Sequence, residues 1–291
     1  MLFRSAQKRL RLTPPKVVRL VIIFAIIVAG IAVIGFFVGY YRGSAAQHNQ
    51  ADSHTTATSE AAKREDFAPA GTGSVKPVSD PMQLDAFIVG PGGDIKSEDD
   101  VLNVHRRNAK DPFAVGAIDA PVVISEFSDF ECPFCALYVN GARKQILSEY
   151  VDQGLVRLEW NDFPINGPDA VAAAKAGRAA AAQGKFHEFH DALYHASAGV
   201  KGHPENKTAD FVRFAKEAGV PDLAKFEEQA TDNTYDEVIE KAQGYGSSLG
   251  IDGVPAALVG TQFVSGAQPI EVFRQVIDAE LVKAKAKTKS A

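Results

Sequence analysis

The chain has 291 residues, of which 46% are hydrophobic and 23% charged, enough for one large domain or two small ones and too apolar for a wholly disordered chain. The formal charge of -5 is unevenly placed: all 36 acidic residues follow Tyr41, while six cations (Arg4, Lys8, Arg9, Arg11, Lys16, Arg19) precede it, leaving 25 basic residues against 36 acids, a net of -11, beyond that point. So acidic a surface excludes nucleic acid as a partner, and two cysteines in the whole chain exclude both a disulfide-stapled miniprotein and a four-cysteine zinc site.

Residues 1–19 form a basic stub, expected in the cytoplasm by the positive-inside rule. Residues 20–41 carry no charge, and as a helix they would be about 33 Å long, enough to span a bilayer's hydrocarbon core. A cleaved secretory signal with Ser44 and Ala46 before the cut is the alternative, but such signals carry a shorter apolar core of about 7–15 residues. The span therefore reads as a single-pass anchor in the cell membrane, with everything after it outside the cytoplasm. Residues 42–96 read as a flexible extracytoplasmic linker, because 42–79 holds only Phe67, Val75 and Val78 as larger apolar residues. His48 and His54 in this stretch are expected to be solvated. Order resumes near Ser97, which would cap a short helix through Asn108.

Residues 97–288 then read as one folded domain. A β-branched run over 120–127 predicts a buried strand, 133–150 a helix, and 155–163 a second strand. Strand, helix, strand at this spacing predicts a parallel unit. Helical patterns follow over 168–183, 186–196, 208–218 and 232–249, with Tyr235, Val238, Ile239, Ala242 and Leu249 on one face of the last. Two short strands, 256–259 and 262–264, turn at Gly260, and a closing helix from Pro269 has Ile270, Phe273, Ile277 and Leu281 on its apolar face. The predicted order is βαβ, a helical insertion over about 165–250, then ββα, an α/β domain.

The chemistry-bearing run is Phe127-Ser128-Asp129-Phe130-Glu131-Cys132-Pro133-Phe134-Cys135. A Cys-x-x-Cys where a strand ends and a helix begins puts the first sulfur among unpaired N–H groups, which favour an anion. Cys132 is therefore the expected thiolate, the species that attacks disulfides. Pro133 suits the first helical turn, and Cys135, one turn on, is placed to resolve a mixed disulfide. Zinc would need two further ligands, and a static bond closing so small a loop would stabilise little. Phe186-His187-Glu188-Phe189-His190 and His195 lack the His-Glu-x-x-His spacing of zinc proteases, so no metal is expected there, and no cofactor is expected at all.

The run from Glu126 to Cys135, the helical block and Gly253-Val254-Pro255 resemble the DsbA-like thioredoxin-fold disulfide oxidoreductases, over roughly residues 111–286, in a tethered form similar to those of Gram-positive bacteria. The resemblance implies a thioredoxin-like fold with a helical insertion, preceded by one transmembrane helix. It also implies a cis Val254-Pro255 bond facing the cysteines, where backbone groups pair with an extended substrate. Glu126 matches an acidic residue beneath the family's active site, implying a proton relay to or from Cys135, with a carboxylate paired to a lysine as the structural alternative. Asp129 and Glu131 depart from the pattern, since their charge would oppose a low Cys132 pKa. Phe134 stands where strongly oxidising relatives have histidine. The expected function is thiol-disulfide exchange with cysteine-containing secreted or cell-surface proteins, as an oxidase recycled by a membrane redox partner. A disulfide reductase using the same pair, or a binding or chaperone module whose cysteines only hold structure, are the alternatives.

Overall fold

The computed structural model describes residues 62–67 and 95–290, all within one unit spanning 61–291. The stub over 1–19, the apolar span over 20–41, His48, His54 and most of the linker lie outside the described residues. Among the described ones no helix is long and apolar enough to cross a membrane.

Five strands form one sheet: β1 (Ala114–Val115), β2 (Val122–Ser128), β3 (Val156–Asp162), β4 (Ala256–Val259) and β5 (Gln262–Ser265), in spatial order β1-β3-β2-β4-β5. β2 is central because its sequence, VVISEFS, is buried at every position. It runs parallel to β3, with Ser128 opposite Asp162, and antiparallel to β4, with Phe127 opposite Ala256. Parallel strands need a crossover, supplied by α1 (Pro133–Asn140) and α2 (Ala142–Ile146), which continues into a π-helical turn over Leu147–Val151. The insertion holds α3 (Pro168–Ala181), α4 (Phe186–Ala196), α5 (Thr208–Glu217), α6 (Leu223–Thr231) and α7 (Asp236–Ser248), and α8 (Ile270–Ser290) closes the domain. The βαβ, helical insertion and ββα order is the one expected.

Strand alternation sorts the core. Glu126 of β2 faces Tyr138 of α1, which stacks in turn on Phe273 of α8. The odd positions face the other way: Ser125 accepts or donates to His105 at 2.9 Å, and Phe127 meets Phe163 and Tyr245. Ile270, Phe273, Ile277 and Leu281 are all buried, as the period predicts. Gly260 is required at the β4–β5 turn: its φ is 55°, its N–H donates to Val123 O at 2.8 Å, and a Cβ there would stand 2.2 Å from the Glu280 carboxylate.

Several boundaries differ from expectation, each for a physical reason. The helix expected over 133–150 breaks at Gly141, whose φ of -112° and ψ of -100° are not helical. α6 was not expected: with only Phe226 and Ala230 buried, it has too few apolar positions to show a period. β1 is two residues long, below the reach of any pattern. The helix expected through Asn108 is a 3-10 helix over Glu98–Val104, after which His105 and Arg106 turn into the protein. There Arg106 pairs with Asp111 at 2.7 Å and its N–H donates to Glu159 of β3 at 2.7 Å. Within the stretch expected to be a flexible linker, residues 62–67 are an exception: Phe67 is buried in the main core, and Arg64 pairs with Asp119 and donates to Phe67 O at 3.0 Å. Phe67 and the ion pairs Arg64–Asp119 and Asp66–Lys285 hold six residues whose composition alone gave no sign of order.

Candidate functional site

The end of β2 delivers the chain into a short loop and then into α1. Cys132 is the N-cap of α1, with extended backbone (φ -82°, ψ 121°), and Pro133 is its first residue. Its thiol is held down to about 7 by a hydrogen bond from Cys135, then by the N–H groups of Cys135 and Phe134, against burial and the Asp129 charge. Cys135 behaves oppositely: it is fully buried, and burial pushes its thiol well above the ordinary range. The pair is thus asymmetric, with a nucleophile-prone sulfur in front and a reluctant one behind, as the helix-terminus argument predicts.

Across from this pair the Val254–Pro255 bond is cis, as the resemblance implies, and the Cys132 thiol donates to Val254 O at 3.6 Å. Pro255 feeds directly into β4 beside β2, so sheet register places the proline loop against the cysteines. Phe134 is 62% exposed and Leu137 61%, so the outward face of α1 presents apolar surface next to Cys132.

Glu126 is buried two residues below the end of β2. Its carboxylate accepts from the Tyr138 hydroxyl at 2.6 Å and pairs with Arg143 at 3.3 Å. The partner cation is thus an arginine from α2, not the lysine that was the expected structural partner. A cavity of about 10 Å³, one water in size, lies between Glu126, Ser128, Tyr138, Trp160 and Pro255.

Asp129 and Glu131 do not aim their charge at the thiol. Asp129 Oδ2 accepts from Ile165 N–H (2.9 Å), Asn166 N–H (2.9 Å) and the Asn166 side chain (2.7 Å), while Oδ1 accepts from Glu131 N–H at 2.8 Å. Glu131 accepts from Glu205 N–H at 2.6 Å and from Asn206 N–H and side chain at 3.2 Å. Burial raises both carboxyl pKa values against these donors. The expected penalty on Cys132 remains only as the lesser contribution from Asp129.

Tyr194 of α4 completes the site: its hydroxyl donates to Asp129 O at 3.0 Å and meets the Ser128 hydroxyl at 3.1 Å. Ser128 in turn hydrogen-bonds Cys135. Sequence reasoning missed Tyr194 and Arg143, because each joins the site from a separate helix, and it gave Ser128 no role although it lies within the cysteine-bearing run; only the Asp129-x-Glu131 turn carried a local signal. Two of the histidines pack into the fold: His190 is buried among Phe130, Trp160, Phe186 and Tyr194 with its Nδ1 on Asp191 at 2.8 Å, and His187 donates to Ala114 O at 3.1 Å. Among the described residues no group of three or more histidine, cysteine or acidic side chains is placed to hold a metal ion.

Comparison with known proteins agrees with this geometry. The sequence profile of the thioredoxin family matches residues 108–279. The chain is 29% identical over 174 residues to a probable disulfide bond formation protein D of Bacillus cereus, covering 58% of this chain and 79% of that one. It is also 30% identical over 172 residues to the Na(+)/H(+) antiporter NhaA 3 of Salinispora tropica, covering 58% of this chain but only 25% of the antiporter. Among solved structures, oxidised BdbD of Bacillus subtilis superposes with a TM-score of 0.54 at 21% identity, covering 58% of this chain and 92% of that one. The α-DsbA1 of Wolbachia pipientis superposes with a TM-score of 0.54 at 19% identity, covering 60% and 93%. With its cysteine pair at the head of α1 and a matching profile over more than half its length, the chain belongs to the thioredoxin family and is a thiol-disulfide oxidoreductase whose fold is that of the DsbA-type structures.

Proposed function

We propose that the protein is a membrane-anchored, extracytoplasmic oxidase that introduces disulfides into secreted or cell-surface proteins. The asymmetry of the cysteine pair carries this reading. A Cys132 thiol held below its ordinary range makes it the sulfur through which exchange runs, and the long helical insertion between β3 and β4, which small thioredoxin-type reductases lack, favours the oxidase direction. A substrate thiolate attacks Cys132 Sγ, the Cys132–Cys135 bond breaks, and Cys135 leaves as a thiolate. A second substrate thiolate then attacks the substrate sulfur of the mixed disulfide, releasing oxidised substrate and reduced Cys132. The protein's dithiol passes two electrons and two protons to a membrane redox partner, restoring the disulfide. Val254 and Pro255 offer backbone to an extended substrate beside Cys132.

Localisation rests on the uncharged span over 20–41 preceded by six cations. The similarity to part of an antiporter is consistent with work beside a membrane. Glu126 is assigned as the proton relay behind the pair, to or from Cys135, held in place by the hydrogen bond it accepts from the Tyr138 hydroxyl. Glu126→Gln is expected to slow exchange at neutral pH; loss of stability with an unchanged rate would instead make it a structural partner of Arg143.

Trapping free thiols in intact cells tests the direction. An oxidase is expected to hold Cys132 and Cys135 mostly as a disulfide; a mostly reduced pair would reverse the assignment to a reductase.

A further inference from the structure

The acidic residue directly before Cys132 is used entirely on one loop. Glu131 takes the N–H groups of Glu205 and Asn206 and the Asn206 side chain on its carboxylate, and its main-chain carbonyl accepts from His203 Nδ1 at 2.9 Å. That carbonyl belongs to the peptide bond leading into Cys132, so the loop between α4 and α5 sits directly against the nucleophile. Glu205 has φ of 54°, a left-handed conformation that a non-glycine residue adopts only when its surroundings hold it there. Lys207 at the end of this loop pairs with Asp169 at 2.6 Å, tying it to the start of α3, next to the segment that Asp129 holds at Ile165 and Asn166. The Cys132 sulfur therefore meets Val254 O, while the residue before it, Glu131, is bound by the insertion's loop. This loop and the Ile165 segment carry the partly exposed apolar residues Val200 and Ile165.

We propose that Glu131 is a positioning residue for polypeptide substrates: it fixes the 199–207 loop as the second wall beside Cys132, with Val254 as the first, for an extended chain with apolar side chains near its cysteine. A small dithiol reaches the sulfur without touching that wall. The proposal rests on thiol-disulfide exchange at Cys132 and holds for either direction of electron flow.

The test compares two second-order rate constants for the oxidised protein, one with a reduced, unfolded cysteine-containing polypeptide and one with dithiothreitol, in wild type, Glu131→Ala and Glu131→Gln. In E131A the polypeptide-to-dithiothreitol ratio is expected to fall roughly tenfold, because a misplaced contact raises the barrier only for the substrate that uses it. E131Q keeps one accepting oxygen and is expected to recover part of the ratio; it also carries the test should E131A fail to fold. A ratio that stays at the wild-type value in E131Q and in folded E131A overturns the proposal, whatever the absolute rates do. Failure of the wild type to react with either reagent would instead overturn thiol exchange itself.

Discussion

Removing the buried thiol while leaving the helix intact separates two causes of the low Cys132 pKa. The hydrogen bond from Cys135 is the largest favourable contribution, followed by the Cys135 and Phe134 N–H groups, and together they move the thiol from 9.0 to about 7 against burial and Asp129. As the first of these contributions, the hydrogen bond outweighs either N–H group taken singly. Cys135→Ala is therefore expected to raise the Cys132 midpoint; a rise of one unit would cut its thiolate fraction at pH 7 from about half to about a tenth. Alkylation at pH 7 should slow by roughly fivefold in proportion. Thiolate absorbance titrated against pH, with alkylation rates over the same range, measures both quantities. A midpoint unchanged at 7 would refute the reasoning and assign the whole effect to the helix N-terminus. A midpoint below 7 would mean that Cys135 acts on balance against the thiolate.

Three further outcomes test the surroundings of the site. Arg143→Met removes the cation that Glu126 pairs with and leaves a buried carboxylate on Tyr138 alone, so unfolding by denaturant should show a loss of about 3 kcal/mol or more; a loss within 0.5 kcal/mol, the range of an ordinary surface change, would show the pair to be dispensable. Gly177→Ala would set a Cβ 2.9 Å from the Phe130 ring, which is buried between Trp160 and Tyr194, and should destabilise by about 1–3 kcal/mol, whereas an unchanged melting temperature would show that the ring can shift. Burial lowers the His190 pKa from 6.5 to about 4, so the unfolded state takes up its proton first as pH falls; stability is full above 6.5 and is lost down to about pH 4, by up to ~3 kcal/mol. Denaturation of His190→Leu at pH 7 and 4.5 should show a smaller acid loss than wild type, and parallel losses would contradict this.

Much of the molecule was legible because the signals are local. The two cysteines, Pro133 between them and the β-branched run before them lie within sixteen residues, so strand, helix terminus and thiolate follow from helix and strand physics alone. The closing helix was equally legible, since Ile270, Phe273, Ile277 and Leu281 repeat at the helical period and all four are buried. The cis Val254–Pro255 bond was expected from family resemblance, as no dipeptide encodes it. Where apolar positions were sparse the pattern failed, at α6, at the two residues of β1 and at Phe67, whose burial depends on a partner surface made elsewhere in the chain.

By itself, then, the amino-acid sequence determined which sulfur heads the helix and which lies one turn behind it, because a helix N-terminus and a four-residue spacing are properties of contiguous chain. Only the tertiary structure decided what the neighbouring charges do. Asp129 and Glu131 look like a burden on the thiolate in the linear sequence, but three of their four carboxylate oxygens are taken by N–H groups 36 to 75 residues away. Glu126 likewise finds Arg143 and Tyr138 only once α1 and α2 pack on the sheet. The direction in which a side chain spends its charge is set by donors brought near through folding, and their distance along the chain hides them from any local pattern.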